Sequence, residues 1–201
     1  LLRAGRGIRA FLLGPWIGTG QRDEDTALAA SYDITPLVHS RESLERILAQ
    51  SHLTGRAKPL TVAIKFDTGM SRLGFLAYGE DLNRSLDEIG EIAKMPNLSI
   101  TGTFTHFAVA DEDDPESVAF TKLQFQRFQE ALSQLEERGI PTGIRHCCNS
   151  GATILYPEYA LDMVRPRHRD LRCAPVGGPA RHDRSAARDV PALHDLPDPR
   201  F

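Results

Sequence analysis

The sequence predicts an α/β fold, an incomplete (β/α)8 barrel of the TIM type with parallel strands joined by helical crossovers. Three observations carry this expectation. Segments with apolar residues at period two alternate with segments of helical period, hairpin signals such as Asn-Gly are missing, and chemically active side chains fall at the C-terminal ends of predicted strands. Open doubly wound sheets share the alternation, but no glycine-rich dinucleotide fingerprint follows the first predicted strand. A complete eight-stranded barrel takes roughly 250 residues, and this chain has 201.

The elements follow in order. Arg9 to Leu13 predicts a short strand stopped by Gly14-Pro15, and Asp23 to Tyr32 a weak, alanine-rich helix. Thr35 to His39 is the next strand. Ser40 then caps a helix whose apolar face is Leu44, Ile47 and Leu48, ending near His52. In the strand from Leu60 to Phe66, Leu60, Val62, Ile64 and Phe66 alternate with Thr61, Ala63 and Lys65. An apolar face outward and a polar face inward suits a barrel wrapped in helices. A helix carrying Leu82, Leu86, Ile89 and Ala93 follows and is closed by Pro96. Leu98 to Phe107 is a strand in which Gly102 marks a bulge or a close approach. After an acidic loop, Asp114 as N-cap and Pro115 at the first helical position open a helix striped by Phe125, Phe128, Leu132 and Leu135. Gly139-Ile140-Pro141 ends it. Ile144 to Cys148 predicts a strand, Gly151 to Tyr156 a short helix, and Leu161 to Arg165 a last strand.

Composition narrows the function classes. A net charge of -3, with 41% hydrophobic and 25% charged residues, is that of an ordinary globular protein. It offers no basic footprint for nucleic acid, and no apolar run approaches a membrane span. Cys147, Cys148 and Cys173 make neither a disulfide framework nor a zinc site, so free thiols in a reducing, cytoplasmic compartment are expected.

Lys65, His106, the cluster His146 to Ser150, and Arg165 all fall at predicted strand ends. In a β/α barrel those ends form one rim, where active sites lie. Each residue has a plainer role open to it. Lys65 can snorkel to solvent, His106 can be a hydrogen-bonded core histidine, Asn149-Ser150 can cap the next helix, and Arg165 can sit on the surface. Their coincidence at one rim argues for a site.

The string Lys65-Phe66-Asp67-Thr68-Gly69-Met70-Ser71-Arg72-Leu73-Gly74-Phe75 resembles the K-x-D-T-G-M-x-R-L-G-F signature of alanine racemases. Thr105-His106-Phe107-Ala108 with Ala110-Asp111, His146 to Gly151, and Met163 to Pro166 resemble three further segments of that family. The resemblance implies interconversion of L- and D-alanine, the supply of D-alanine for peptidoglycan, pyridoxal 5'-phosphate as cofactor, and a homodimer. It implies that Ser150 binds the phosphate beside Asn149, and that Arg165, steadied by His146, faces the pyridine nitrogen. Arg72 would approach the cofactor oxygen and the substrate carboxylate, and His106 would orient the second base. Lys65 is often carbamylated in the family, and its presence leans towards alanine as substrate. A non-catalytic pyridoxal phosphate-binding barrel, or a racemase of another amino acid, is the alternative.

The family's imine lysine lies in a K-A-N-A-Y-G-H-G-like segment, and none of Lys58, Lys65, Lys94 and Lys122 has that setting. The opposing tyrosine of the family's second domain also has no counterpart. Residues 1–166 are therefore expected to form a partial cofactor-binding barrel and 167–201 a non-native or disordered tail. After Arg165-Pro166 the family continues G-I-x-x-Y-G, whereas this chain continues Arg167-His168-Arg169-Asp170-Leu171-Arg172-Cys173. Back-translated with GC-rich codons and moved one base forward, that segment reads G-I-A-T-C-G, the mark of a frameshift.

Overall fold

The computed structural model describes residues 10–11, 34–51 and 59–166. The helix predicted over Asp23–Tyr32 and the tail 167–201 lie outside the described residues. The element order is β1 (Ala10–Phe11), β2 (Ile34–Thr35), β3 (Leu37–Val38), α1 (Arg41–Ser51), β4 (Leu60–Asp67), β5 (Phe75–Leu76), α2 (Asp81–Ala93), β6 (Leu98–Phe104), α3 (Pro115–Glu137), β7 (Ile144–His146) and α4 (Ser150–Leu155).

All described pairings are parallel, as helical crossovers require. β4 pairs with β3 and β6, β6 pairs with β7, and the short β5 adds to the end of β4. The alternation read in β4 separates its two faces. Val62, Ile64 and Phe66 join the large core with Leu44 and Ile47 of α1, Leu86 and Ile89 of α2, and Phe128 and Leu132 of α3. Ala63, on the opposite face, packs with Leu37 and Phe104 in the barrel interior.

Helix starts follow their caps. Ser40 Oγ accepts from Ser43 N at 3.1 Å, and Ser43 Oγ accepts from His39 N and Ser40 N in return. Asp114 accepts from the amides of Glu116 and Ser117, with Pro115 in the first turn. Carboxylate capping and a proline that needs no amide partner together fix where α3 begins.

The irregularity expected at Gly102 is a bulge. Val62 pairs with Ile100 but Ala63 pairs with Gly102, so Thr101 has no partner on β4. The neighbouring chain comes very close there. Gly143 has φ of 60°, and a Cβ on it would lie 2.2 Å from the carbonyl carbon of Thr101. Gly143→Ala is expected to cost about 2 kcal/mol through overpacking and backbone strain, read as a lower urea midpoint.

The structure corrects the element boundaries in three places. Pro36, which has no amide to donate, splits the strand predicted over Thr35–His39 into β2 and β3. β6 stops at Phe104 and β7 at His146, because the residues beyond turn into the rim loops. The strand predicted over Leu161–Arg165 is irregular chain. Leu161 has φ of 49°, outside the β region. The segment still runs beside β7, with Asp162 N donating to Arg145 O and Arg165 N donating to Cys148 O, both at 3.0 Å.

Candidate active site

Because β4, β6 and β7 run parallel, their C-terminal ends come together, and so do the residues that follow them. Arg165 is the hub. Its Nη1 lies 2.6 Å from His146 Nδ1, and its Nη2 donates to Thr105 O at 2.8 Å and to Cys147 O at 3.2 Å. His106 Nδ1 lies 3.3 Å from Nη2. The guanidinium also stands over the Phe104 ring, 5.2 Å from its centroid. Burial lowers its pKa to about 10, so it stays protonated at neutral pH.

His146 is fully buried and stacks on Phe104, with centroids 4.8 Å apart and planes 8° from parallel. Burial, and then the charge of Arg165, lower its pKa to about 3. The imidazole is neutral, and since arginine only donates, Nδ1 accepts and the proton sits on Nε2.

Lys65 projects to the inner face opposite Phe104 in the β4–β6 register, and it is only 3% exposed. None of the ion pairs among the described residues includes it. Burial first, then the nearby charges of Arg72 and Arg165, push its pKa down against the pull of Asp67. A buried lysine among arginines gains little from its own charge. Asp67 is engaged elsewhere. Its Oδ1 accepts from Gly69 N at 2.9 Å and Ser71 N at 3.0 Å, and its Oδ2 from Arg72 N at 3.1 Å. That carboxylate folds the loop carrying the exposed Arg72.

Asn149 and Ser150 open α4. Asn149 Oδ1 accepts from Ala152 N at 2.9 Å, and Nδ2 donates to Phe107 O at 3.4 Å. The capping role open to Asn149 in the sequence is thus filled. The next residue, Gly151, packs directly against Asp111, where a Cβ would come within 2.9 Å. The start of α4 is therefore held against the loop that follows His106.

A family model described as alanine racemase, N-terminal domain, matches residues 5–166. The chain belongs to that family. It is 39% identical over 166 residues to an alanine racemase of Desulforamulus reducens, covering 83% of this chain and 41% of that protein. It is 43% identical over 135 residues to one of Clostridium tetani, covering 67% and 33%. Among solved structures, the alanine racemase of Clostridium difficile 630 in complex with cycloserine superimposes with a TM-score of 0.64 at 31% identity, covering 78% of this chain and 39% of that one. The enzyme of Streptomyces coelicolor A3(2) gives a TM-score of 0.62 at 30% identity, covering 79% and 38%. The chain thus spans between a third and about two fifths of the length of these racemases.

The rim joins His106, His146 and Arg165 in direct contact, and Lys65 lies near enough to Arg72 for that charge to lower its pKa. Sequence reasoning missed four participants. Phe104 supplies the ring under His146 and Arg165, and its inward direction shows only once the bulge is placed. His39 follows β3, and its pKa is lowered by burial and then by Lys65, which places it near the rim lysine. As the last residue of a predicted strand it carried the same signal as Lys65. Thr68 and Gln124 are buried beneath the rim. Gln124 was legible as a polar residue one position before Phe125 on the apolar stripe of α3.

Proposed function

We propose that this chain is the cofactor-binding barrel portion of a pyridoxal 5'-phosphate-dependent alanine racemase, acting on alanine. The observation that carries the reading is the fixed Arg165 guanidinium beside neutral His146. When bound, the cofactor supplies an electron sink at Cα. A guanidinium held by two carbonyls and an imidazole suits the pyridine nitrogen, because it remains a donor and gives up no proton to the ring. Ser150 would hold the phosphate end. Arg72, exposed on a loop fixed by Asp67, would bind the substrate carboxylate through its planar fork. His106 would orient the second base. A cytoplasmic homodimer is the assembly proposed for the whole protein. Among the described residues no helix is long and apolar enough to cross a membrane.

None of the chain's four lysines stands in a segment like the one that carries the family's imine lysine. Lys65 is buried at the rim, Lys94 pairs with Glu91 at 2.8 Å, and Lys122 is exposed on α3. The 201-residue polypeptide is therefore expected to bind pyridoxal 5'-phosphate without forming a borohydride-reducible adduct, and to show no alanine turnover. Ser150→Ala should weaken binding about tenfold, the loss of one charged hydrogen bond. Absence of cofactor binding by the wild-type chain overturns the reading, and an adduct or turnover overturns the account of the lysines. The division of the chain at Pro166 is proposed with it. The family match ends at residue 166, which supports a change of reading frame there, and the gene sequence across that codon decides it.

A further inference from the structure

We infer that Gln124 is a positioning residue that locks the loops after β4 and β6 together and so sets the places of His106 and Arg165. It lies on the core-facing side of α3 and is fully buried, as is Thr68, while Thr105 is 1% exposed. A glutamine there gives up side-chain freedom and hydration that leucine would not, so its hydrogen bonds must hold something.

They form a directed chain. Gln124 Nε2 donates to Thr68 Oγ1 at 3.1 Å. Thr105 Oγ1 donates its one proton to Phe66 O at 3.1 Å, so the 2.9 Å contact between the two threonines runs from Thr68 to Thr105. Gln124 Nε2 also reaches His106 O at 3.4 Å, and Oε1 accepts from Ala108 N at 2.9 Å. The side chain thus grips the backbone on both sides of Phe107, next to His106. Thr105, which passes the hydrogen bonds on to Phe66 O, also presents the carbonyl that takes Arg165 Nη2. One turn along α3, Arg127 Nη1 donates to Thr68 O at 2.8 Å and stands 4.0 Å over the Tyr78 ring. Gly69 makes room for this, since a Cβ there would lie 2.8 Å from the Phe120 ring and 3.1 Å from Arg127 Nη1.

The catalytic consequence rests on the proposed cofactor site, whereas the locking itself can be tested without it. The variants are Thr68→Val, which keeps shape and loses the bridging hydroxyl, and Gln124→Glu, which keeps shape and loses the donor. In the full chain, amide exchange at Gly69, Ser71, Arg72 and Ala108 is expected to accelerate about tenfold in both, with Leu86 and Ile89 of α2 unchanged. In Gln124→Glu the protection, corrected for intrinsic rates, should return at acid pH. There the buried carboxyl takes up a proton and donates to His106 O again. Unchanged exchange, or equal acceleration in α2, overturns the inference. Pyridoxal 5'-phosphate titrations separate the two claims. A wild-type chain that does not bind, with local loosening as expected, removes the proposed function and leaves Gln124 as the lock. Equal affinity in wild type and both variants removes the positioning role.

Discussion

Replacing Arg165 by methionine is expected to destabilise the chain by about 3 kcal/mol and to abolish pyridoxal phosphate binding. Methionine matches the length of the stem but donates nothing. Thr105 O and Cys147 O lose the donor now 2.8 and 3.2 Å away, and His146 Nδ1 loses its partner at 2.6 Å. Buried acceptors left without donors cost about 1–3 kcal/mol each, and the contact over Phe104 is lost as well. The effect on His146 goes the other way. The arginine charge contributes, after burial, to holding that imidazole low, so its pKa should rise in Arg165→Met while staying below the ordinary value. Urea unfolding and histidine titration by NMR measure the two consequences. A loss below about 1 kcal/mol would mean that the guanidinium is held no better than a surface arginine.

The second large effect is acid sensitivity through His146. The unfolded chain takes up a proton on this residue near 6.5, and the native chain only near 3. The unfolded state therefore binds more protons throughout that window, and stability falls as pH falls. The contribution is complete above about 6.5, drains between 6.5 and 3, and is fully lost below. Its size is on the order of 5 kcal/mol, without discount for solvent because the ring is fully buried. Carboxylates titrate in the lower half of the window, so the useful measurement is the difference between wild type and His146→Gln. That difference should narrow steadily as pH falls from 6.5, and parallel profiles would show that His146 does not titrate in this way.

Much of this arrangement is legible in the sequence. The alternation in Leu60–Phe66 placed Lys65 inward because side-chain direction follows from period two. His106 and the cluster His146 to Ser150 fall at strand ends, which parallel strands bring together. The family resemblance suggests a hydrogen bond from His146 to Arg165; the two side chains lie 2.6 Å apart, with the arginine as the donor. Other features depend on contacts between segments far apart in the chain. Gln124 lies in a helix whose stripe reads as plain core, and its partners come from two different loops. The segment Leu161–Arg165 reads as strand from its residues, but Leu161 turns the backbone out of the β region. β5 is too short for any periodic signal and forms only because the loop folded by Asp67 returns beside β4.

The extra residue in β6 makes a local bend of the backbone a property of the site. Under strict alternation Ile100 and Phe104 would project to the same side of the sheet. They project to opposite sides, Ile100 among the helices and Phe104 into the barrel with Leu37 and Ala63, because Thr101 is inserted between them. Any substitution at Thr101 keeps that parity. Removing the residue would leave the register as it is, with Gly102 following Ile100 and Phe104 still inward. Straightening the strand with Thr101 kept is what exchanges the faces, turning Phe104 towards the helices and Thr103 inward, and takes away the ring on which His146 and Arg165 rest. The bulge itself, rather than the number of residues in the strand, therefore decides which ring lies under the site.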